Sequence, residues 1–117
     1  MKRILIVDDS RVSRKMIRNM LELSGHEVVA EAINGKEGLE LFEKLKPDVV
    51  LMDITMPEMN GIEALKLIKE KYPDAKVIII SAVGHDQKKM EAIKAGAENF
   101  ITKPFEDKEI LEAVDKY

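Results

Sequence analysis

The sequence predicts an α/β protein in which a parallel sheet of five strands carries helices on both faces. Three observations predict this class. Short apolar runs alternate with helix-like stretches along the 117 residues, the central runs are apolar at every position, and the connections are too short for anything but right-handed crossovers. At roughly 150 residues per domain, the length corresponds to one domain, residues 1–117.

The strands are predicted from the apolar runs. Residues 4–7, 48–52 and 77–80 are continuously apolar or nearly so, as expected for strands that helices cover on both faces. The runs at 27–32 and 99–102 are more polar, which is typical of strands at the edges of a sheet. With these runs at the edges, the sheet has the order 2-1-3-4-5, the doubly wound arrangement of flavodoxin-like folds.

The helices are predicted from their caps and apolar stripes. The expected helix starts are Ser10, Asn34, Asn60, Asp86 and Glu106, and the expected stops are Gly25, Pro47, Pro73 and Gly96. In chain order, the residues predicted to face the core are Val12, Met16, Met20 and Leu23; Leu39, Phe42 and Leu45; Ile62, Leu65 and Ile68; Met90 and Ile93; and Ile110, Leu111 and Val114.

Composition excludes several classes of function. Cysteine is absent, which removes disulfides, thiolate metal sites and thiol nucleophiles. The 19 basic and 22 acidic residues give a net charge of −3, so the chain has no overall basic field to hold nucleic acid. No apolar run approaches the roughly 20 residues of a membrane span. We therefore expect a cytoplasmic protein that binds neither a membrane nor, by this domain alone, nucleic acid.

Three aspartates follow the first and third strands, where the winding of the predicted sheet reverses and ligands bind. They are Asp8, Asp9 and Asp53. A single aspartate at such a place is commonly a helix cap or a turn residue. Three carboxylates about 5 Å apart, however, repel one another by roughly 3 kcal/mol per pair at an effective dielectric constant near 20. A bound divalent cation offsets that repulsion, and hard oxygen ligands favour Mg²⁺.

A hydroxyl and an ammonium group follow the fourth and fifth strands, in Ser81 and Lys103. Taken singly, each is commonly a solvent-facing residue, and Lys103 also suits a simple salt bridge to the acids. Around one carboxylate, a hydroxyl, an ammonium and a metal form a cradle for a phosphoryl group. This pattern favours Asp53 as a nucleophile that forms an acyl phosphate, with Asp8 and Asp9 holding the metal.

Five segments, in order and at matching spacing, resemble the receiver domains of two-component response regulators over essentially the whole chain. They are IVDDS at 6–10, LMDITMPEMNG at 51–61, ISA at 80–82, AGA at 95–97 and TKPF at 102–105. The resemblance implies a phosphorylation-activated switch, in which Asp53 accepts a phosphoryl group from a histidine kinase or from a small donor such as acetyl phosphate. Such a domain is not an enzyme in the usual sense, because it catalyses only its own phosphoryl transfer and autodephosphorylation.

The resemblance also implies a role for each residue of the site. Asp9 ligates Mg²⁺ directly, Asp8 does so mainly through water, and Thr55 contributes its backbone carbonyl. Ser81 and Lys103 bind phosphoryl oxygens, and the peptide bond between Lys103 and the proline that follows it is expected to be cis.

Four positions are expected to govern switching and the lifetime of the acyl phosphate. Thr55 and Val83 tune the lifetime, and the apolar Val83 predicts slow to moderate autodephosphorylation. Ser81 moves inward on activation, and Phe100 rotates into the space that it leaves, although Phe100 also suits a core position on an edge strand. Chemotaxis regulators of this family usually have tyrosine there, so a hydroxyl contact through position 100 is not expected.

The predicted partners follow from a resemblance to stand-alone chemotaxis regulators within the family. They are a histidine kinase as phosphodonor, a downstream target such as the flagellar motor switch on the face of the fourth helix, fifth strand and fifth helix, and a phosphatase. We expect a monomer. The alternative is a receiver domain excised from a longer regulator, such as a DNA-binding transcription factor. A flavin carrier of the same fold is disfavoured, because Asp8 and Asp9 would repel its phosphate.

Overall fold

The computed structural model describes residues 1–56, 58–82 and 86–117, without the side chain of residue 86. Its elements, in chain order, are β1 (Arg3–Val7), α1 (Arg11–Leu23), β2 (Glu27–Ala32), α2 (Gly35–Leu45), β3 (Val49–Asp53), α3 (Gly61–Lys71), β4 (Val77–Ala82), α4 (Asp86–Lys94), β5 (Asn99–Lys103) and α5 (Asp107–Lys116). The five strands are parallel and lie in the order β2-β1-β3-β4-β5. The predicted fold class and strand order are confirmed.

The sheet separates two apolar layers, because alternate residues of each strand point to opposite faces. One layer joins the sheet to α2, α3 and α4, and its members include Leu5, Val7, Val50, Met52, Ile79, Phe42, Leu65, Ile68 and Ala92. The other joins the sheet to α1 and α5, and its members include Ile4, Ile6, Leu51, Ile78, Ile80, Ile17, Leu21, Ile110 and Val114. The central runs are apolar at every position because both faces of these strands are buried.

The buried face of α1 differs from the predicted stripe. Of the four residues expected in the core, Met20 is buried, but Val12, Met16 and Leu23 are 75%, 55% and 90% exposed. Ile17 and Leu21 take their place and are fully buried. These two residues lie one position, or about 100° of helix rotation, beyond Met16 and Met20, so both stripes fit the helical period. Ile17 and Leu21 belong to the apolar layer between the sheet and the pair α1 and α5.

The prediction for α4 is also wrong, because Met90 and Ile93 are 62% and 48% exposed. Ala92, a smaller residue, is the fully buried one, and a small residue lets the helix lie close to the sheet. In α2, Phe42 is buried, while the other two predicted core residues are half-buried. The stripe of α3 is confirmed, and α5 buries Ile110 and Val114 as predicted.

Several predicted helix ends are present. Ser10 and Asn34 accept hydrogen bonds from the third residue after them, and Asn60 forms a complete capping box with Glu63. Glu106 is the N-cap of α5. Gly25 and Gly96 have φ angles of 87° and 103°, the left-handed conformation that commonly ends a helix.

Hydrogen bonds tie the first and last segments together at the amino ends of the strands. The backbone N–H of Lys2 donates to Nδ1 of His26 (3.1 Å), and Nε2 of His26 lies 3.0 Å from a carboxylate oxygen of Asp115. The Tyr117 hydroxyl donates to the backbone carbonyl of Glu98 at 2.9 Å. Because Nδ1 accepts, a neutral His26 carries its proton on Nε2 and donates to Asp115. This pole of the molecule is opposite the predicted site.

Within the ranges given above, no helix has the length and apolar content needed to cross a bilayer.

Candidate functional site

An acidic cluster lies at the carboxyl ends of two neighbouring strands. Asp8 and Asp9 directly follow β1, and Asp53 is the last residue of β3. Each residue offers one carboxylate oxygen, and these three oxygens lie within 4.8 Å of one another. Asp8 is 2% exposed and the Asp53 side chain is 13% exposed, whereas Asp9 faces solvent. The parallel sheet thus brings together the three aspartates that the sequence placed at this edge.

The Lys103 ammonium contacts this cluster from the far edge of the sheet. Lys103 ends β5, two strands away from β3, and its long side chain reaches across β4. Its Nζ lies 3.4 Å from Oδ2 of Asp8 and 3.9 Å from Oδ2 of Asp53. The peptide bond from Lys103 to Pro104 is cis, as expected. These contacts suit both interpretations of Lys103, as a salt-bridge partner and as a ligand for a phosphoryl group.

Ser81 lies on β4, between the strands of Asp53 and Lys103. The residue before it, Ile80, pairs with Asp53 on β3, and Ser81 itself pairs with Thr102, which precedes Lys103 on β5. Ser81 is 1% exposed. Its register therefore places it at the same sheet edge, one residue beyond the level of Asp53.

The ionised form of Asp53 is destabilised by its surroundings. Its pKa is raised from 3.8 to about 6. Burial is the main cause, and the negative charges of Asp8 and Asp9 act in the same direction, while the Lys103 ammonium and a hydrogen bond from the Ile54 backbone N–H oppose the rise. That N–H lies 2.8 Å from Oδ1 of Asp53. Near neutral pH the carboxylate is mostly ionised, and any added cation at the cluster lowers its free energy.

The backbone after Asp53 is held close to the start of α3. The N–H of Gly61 donates to the carbonyl of Ile54 at 2.8 Å. A Cβ atom on Gly61 would lie 2.0 Å from the backbone oxygen of Asp53, so a side chain at this position would push the two segments apart. The Asn-Gly pair at 60–61 is the sequence signal for this close approach.

The remaining predicted residues lie around the cluster at different depths. Thr55 is exposed just after Asp53. Phe100 is half-buried, pairs with Ile79 and packs against the apolar layer of α2, α3 and α4. These contacts suit both interpretations of Phe100, as a core residue on an edge strand and as a residue that rotates on activation. Val83 lies outside the described residues.

Sequence reasoning missed Arg14, which contacts the backbone of the acidic segment. Its Nη1 donates to the carbonyl oxygen of Asp8 at 2.8 Å, and its Nε pairs with Glu31 on β2 at 3.0 Å. The one available signal was a basic residue early in α1, a helix whose first turn lacks the usual acidic residues.

The donor set of the cluster fits Mg²⁺. Three carboxylates from two adjacent strands supply the hard oxygen atoms that this ion prefers, and the exposure of Asp9 leaves room for the waters that it retains. Asp8, Asp9 and Asp53 would hold the ion together with the backbone carbonyl of Thr55, the fourth expected ligand. The ion would supply charge neutralisation.

Comparison with known proteins gives the class of this protein. The family model described as the response regulator receiver domain matches residues 4–115, and the chain belongs to this family. The chain is similar to the chemotaxis protein CheY of Thermotoga maritima, with 51% identity over 115 residues that cover 98% of this chain and 96% of the relative. CheY of Bacillus subtilis is 51% identical over 114 residues, covering 97% and 95%.

Solved structures agree with this assignment. A CheX–CheY–BeF3–Mg complex from Borrelia burgdorferi superposes with a TM-score of 0.92 and 34% identity, covering 97% of this chain and 87% of that one. A LuxR-family two-component response regulator from Aurantimonas sp. SI85-9A1 gives a TM-score of 0.93 and 32% identity, covering 99% and 84%. The protein is therefore a CheY-like receiver domain of a two-component system, and its CheY homologues support a role in chemotaxis.

Proposed function

We propose that residues 1–117 form one cytoplasmic receiver domain in which Asp53 accepts a phosphoryl group from a histidine kinase in a Mg²⁺-dependent reaction. The observation that carries this proposal is the meeting of three carboxylates within 4.8 Å with the Lys103 ammonium 3.9 Å from Asp53. A phosphoryl group approaching Asp53 would meet an ionised carboxylate with the positive charge of Lys103 beside it.

The reaction forms one bond and breaks one. An oxygen of the Asp53 carboxylate attacks phosphorus, and the bond from phosphorus to the donor breaks as its electron pair leaves with the donor. Asp8, Asp9 and Asp53 would hold a cation, which would supply positive charge to offset that of the transferring group. Lys103 pairs with one phosphoryl oxygen, and the Ser81 hydroxyl donates to another. The raised pKa of Asp53, at about 6, reflects a carboxylate whose charge gains most when such partners gather around it.

Thr55 and Val83 govern how long the acyl phosphate persists. Thr55 is exposed beside Asp53, where water can approach. Val83 carries no group that could orient an attacking water, which makes hydrolysis slow to moderate. Decay measured after removal of the donor should therefore change in Val83→Glu or in Thr55→Asn. Unchanged half-lives in both variants would contradict these roles.

The output surface is the face formed by α4, β5 and α5. The exposed apolar residues of α4, Met90 and Ile93, lie beside Lys89 and Lys94 around a surface depression of about 300 Å³. This mixture of apolar and basic groups suits a protein target, and the similarity to CheY favours the flagellar motor switch. A phosphatase is the expected second partner, and the Borrelia burgdorferi relative was solved with CheX.

The second candidate is a receiver domain that belongs to a longer regulator of transcription. The similarity to the LuxR-family response regulator supports it. The genomic reading frame distinguishes the two, because a DNA-binding module encoded downstream would favour the second candidate.

Intact-mass measurement after incubation with acetyl phosphate and Mg²⁺ tests the phosphoacceptor. We expect a gain of about 80 Da that EDTA abolishes. Asp53→Asn should lack the gain, and Asp74→Asn, at an exposed turn position, should retain it. A gain of equal size in Asp53→Asn would contradict the assignment of the acceptor.

A further inference from the structure

Arg14 joins α1 to two strands beneath the acidic cluster. Its Nη1 donates to the carbonyl of Asp8 at 2.8 Å, and its Nε lies 3.0 Å from Oε1 of Glu31 on β2. The Arg14 side chain is 13% exposed. Because a guanidinium group is planar, engagement at two of its nitrogens fixes its orientation.

The carbonyl that Arg14 holds belongs to the peptide unit between Asp8 and Asp9. A peptide unit is planar, so fixing this oxygen also fixes the amide nitrogen of Asp9. Other hydrogen bonds hold the same segment, since Asp8 N donates to Ala32 O (3.0 Å) and Asp8 Oδ1 accepts from Ser10 N (2.8 Å). The Asp9 side chain is exposed, so packing does little to orient it. Its direction depends on the backbone that carries it.

The charge of Arg14 is balanced on its far side. An unpaired guanidinium near the cluster would repel a cation. Glu31 supplies the counter-charge, and it also pairs with Arg18, one helical turn further along α1. The hydrogen bond to Asp8 is thus retained while the repulsion is reduced.

We propose that Arg14 is a positioning residue for Mg²⁺ binding, which holds the Asp8–Asp9 peptide unit so that the Asp9 carboxylate faces the ion. This inference rests on the proposed function, because it takes the acidic cluster as the Mg²⁺ site. Lysine cannot replace Arg14, since its single ammonium lacks the planar fork that spans Asp8 and Glu31. Loss of a partner that orients metal ligands typically lowers metal affinity by about 10- to 100-fold.

Titration calorimetry with Mg²⁺ alone tests this role in wild type, Arg14→Lys and Arg18→Lys. Arg18 is the matched control, because it lies on the same helix and pairs with the same Glu31, but its Nη2 donates to Val28 O at 3.3 Å. We expect Arg14→Lys to weaken Mg²⁺ binding by about tenfold or more. Arg18→Lys should stay within about twofold of wild type. Equal affinities in all three proteins, or equal losses in both variants, would overturn the inference.

The Mg²⁺ dependence of phosphorylation by acetyl phosphate is a second test of the positioning role. In Arg14→Lys, the Mg²⁺ concentration for half-maximal rate should rise by the same factor, while the rate at saturating Mg²⁺ stays within about twofold, because Arg14 touches no reacting atom. A loss of rate that saturating Mg²⁺ fails to restore would overturn the positioning role. If Arg14→Lys does not fold, Glu31→Gln replaces it. That variant should also weaken Mg²⁺ binding, and an unchanged affinity would overturn the inference.

The two proposals fail in distinguishable ways. A wild-type protein that binds Mg²⁺ but is not phosphorylated would contradict the proposed function alone, since calorimetry still decides the role of Arg14. A wild-type protein that does not bind Mg²⁺ would overturn both.

Discussion

The surroundings of Asp53 disfavour the ionised form of its side chain. Burial and two neighbouring carboxylates oppose ionisation, and the Lys103 ammonium offsets them in part. A bound cation, or a substitution that removes the charge of Asp53, should therefore lower the free energy of the folded protein. The same balance also costs the folded state stability in the absence of a ligand.

Replacing Asp53 by Asn should therefore stabilise the protein at neutral pH when Mg²⁺ is absent. The pKa of Asp53 in the folded protein, about 6, is above the ordinary value of 3.8, so ionisation favours the unfolded chain. Above pH 6, Asp53→Asn should raise the free energy of unfolding by about 1 kcal/mol, less than the full pKa shift would give, because solvent screens part of the effect. The gain should vanish below about pH 4, where Asp53 is protonated in both the folded and the unfolded protein. Thermal unfolding in EDTA across this range measures it. Asp74→Asn is the control, and an equal gain at pH 4 and pH 8 would contradict the explanation.

Most of the candidate site could be predicted from single residues, because a parallel sheet gathers the carboxyl ends of its strands at one edge. Asp8, Asp53 and Lys103 therefore needed only a correct assignment of strands. Arg14 could not be found in this way. The hydrogen bond from Arg14 to the Asp8 carbonyl depends on the direction in which the side chain leaves α1 and on the ion pair with Glu31 of β2. No spacing in the sequence predicts that these three residues lie together.

At the scale of the element, α1 illustrates the limit of periodicity. Two stripes one residue apart fit the same helical repeat, and the sequence favours neither by period alone. The structure buries Ile17 and Leu21 and leaves Leu23 90% exposed. By contrast, the central strands were predictable because their residues are apolar on both faces, so no choice of face was needed.

The two stripes of α1 predict opposite mutational outcomes. Ile17→Ala removes a fully buried side chain and should cost about 2–4 kcal/mol of unfolding free energy. Leu23→Ala, at an exposed position of the same helix, should change it by less than about 0.5 kcal/mol. Urea denaturation of both variants measures the difference. Similar losses would indicate that Leu23 packs against the protein in solution.

At the scale of the whole molecule, the acidic cluster and the hydrogen bonds that join the first and last segments lie at opposite ends of the sheet. The acidic cluster is at the carboxyl ends of the strands, while Lys2, His26 and Asp115 are bonded together at the amino ends. Tyr117 adds a bond from the end of α5 to Glu98. A substitution among the bonds at the amino ends should therefore change stability without changing phosphorylation.

Tyr117→Phe tests this separation. It removes one partly buried hydrogen bond and should cost about 1 kcal/mol, measured by urea denaturation. The rate of phosphorylation by acetyl phosphate should stay within about twofold of wild type, because the hydroxyl lies at the far pole. A large loss of rate without a loss of stability would show that the two poles are coupled.

The bond between the first and last segments has a practical consequence. The Lys2 ammonium donates to the carbonyl of Val114 at 2.9 Å, so both ends of the described chain meet at one place. From Lys2 to Asp8 the chain runs along β1 for about 20 Å. A fluorescent dye, an affinity tag or a surface tether attached at either end would therefore stand clear of the acidic cluster, and the two ends are near enough for a dye pair to report on unfolding.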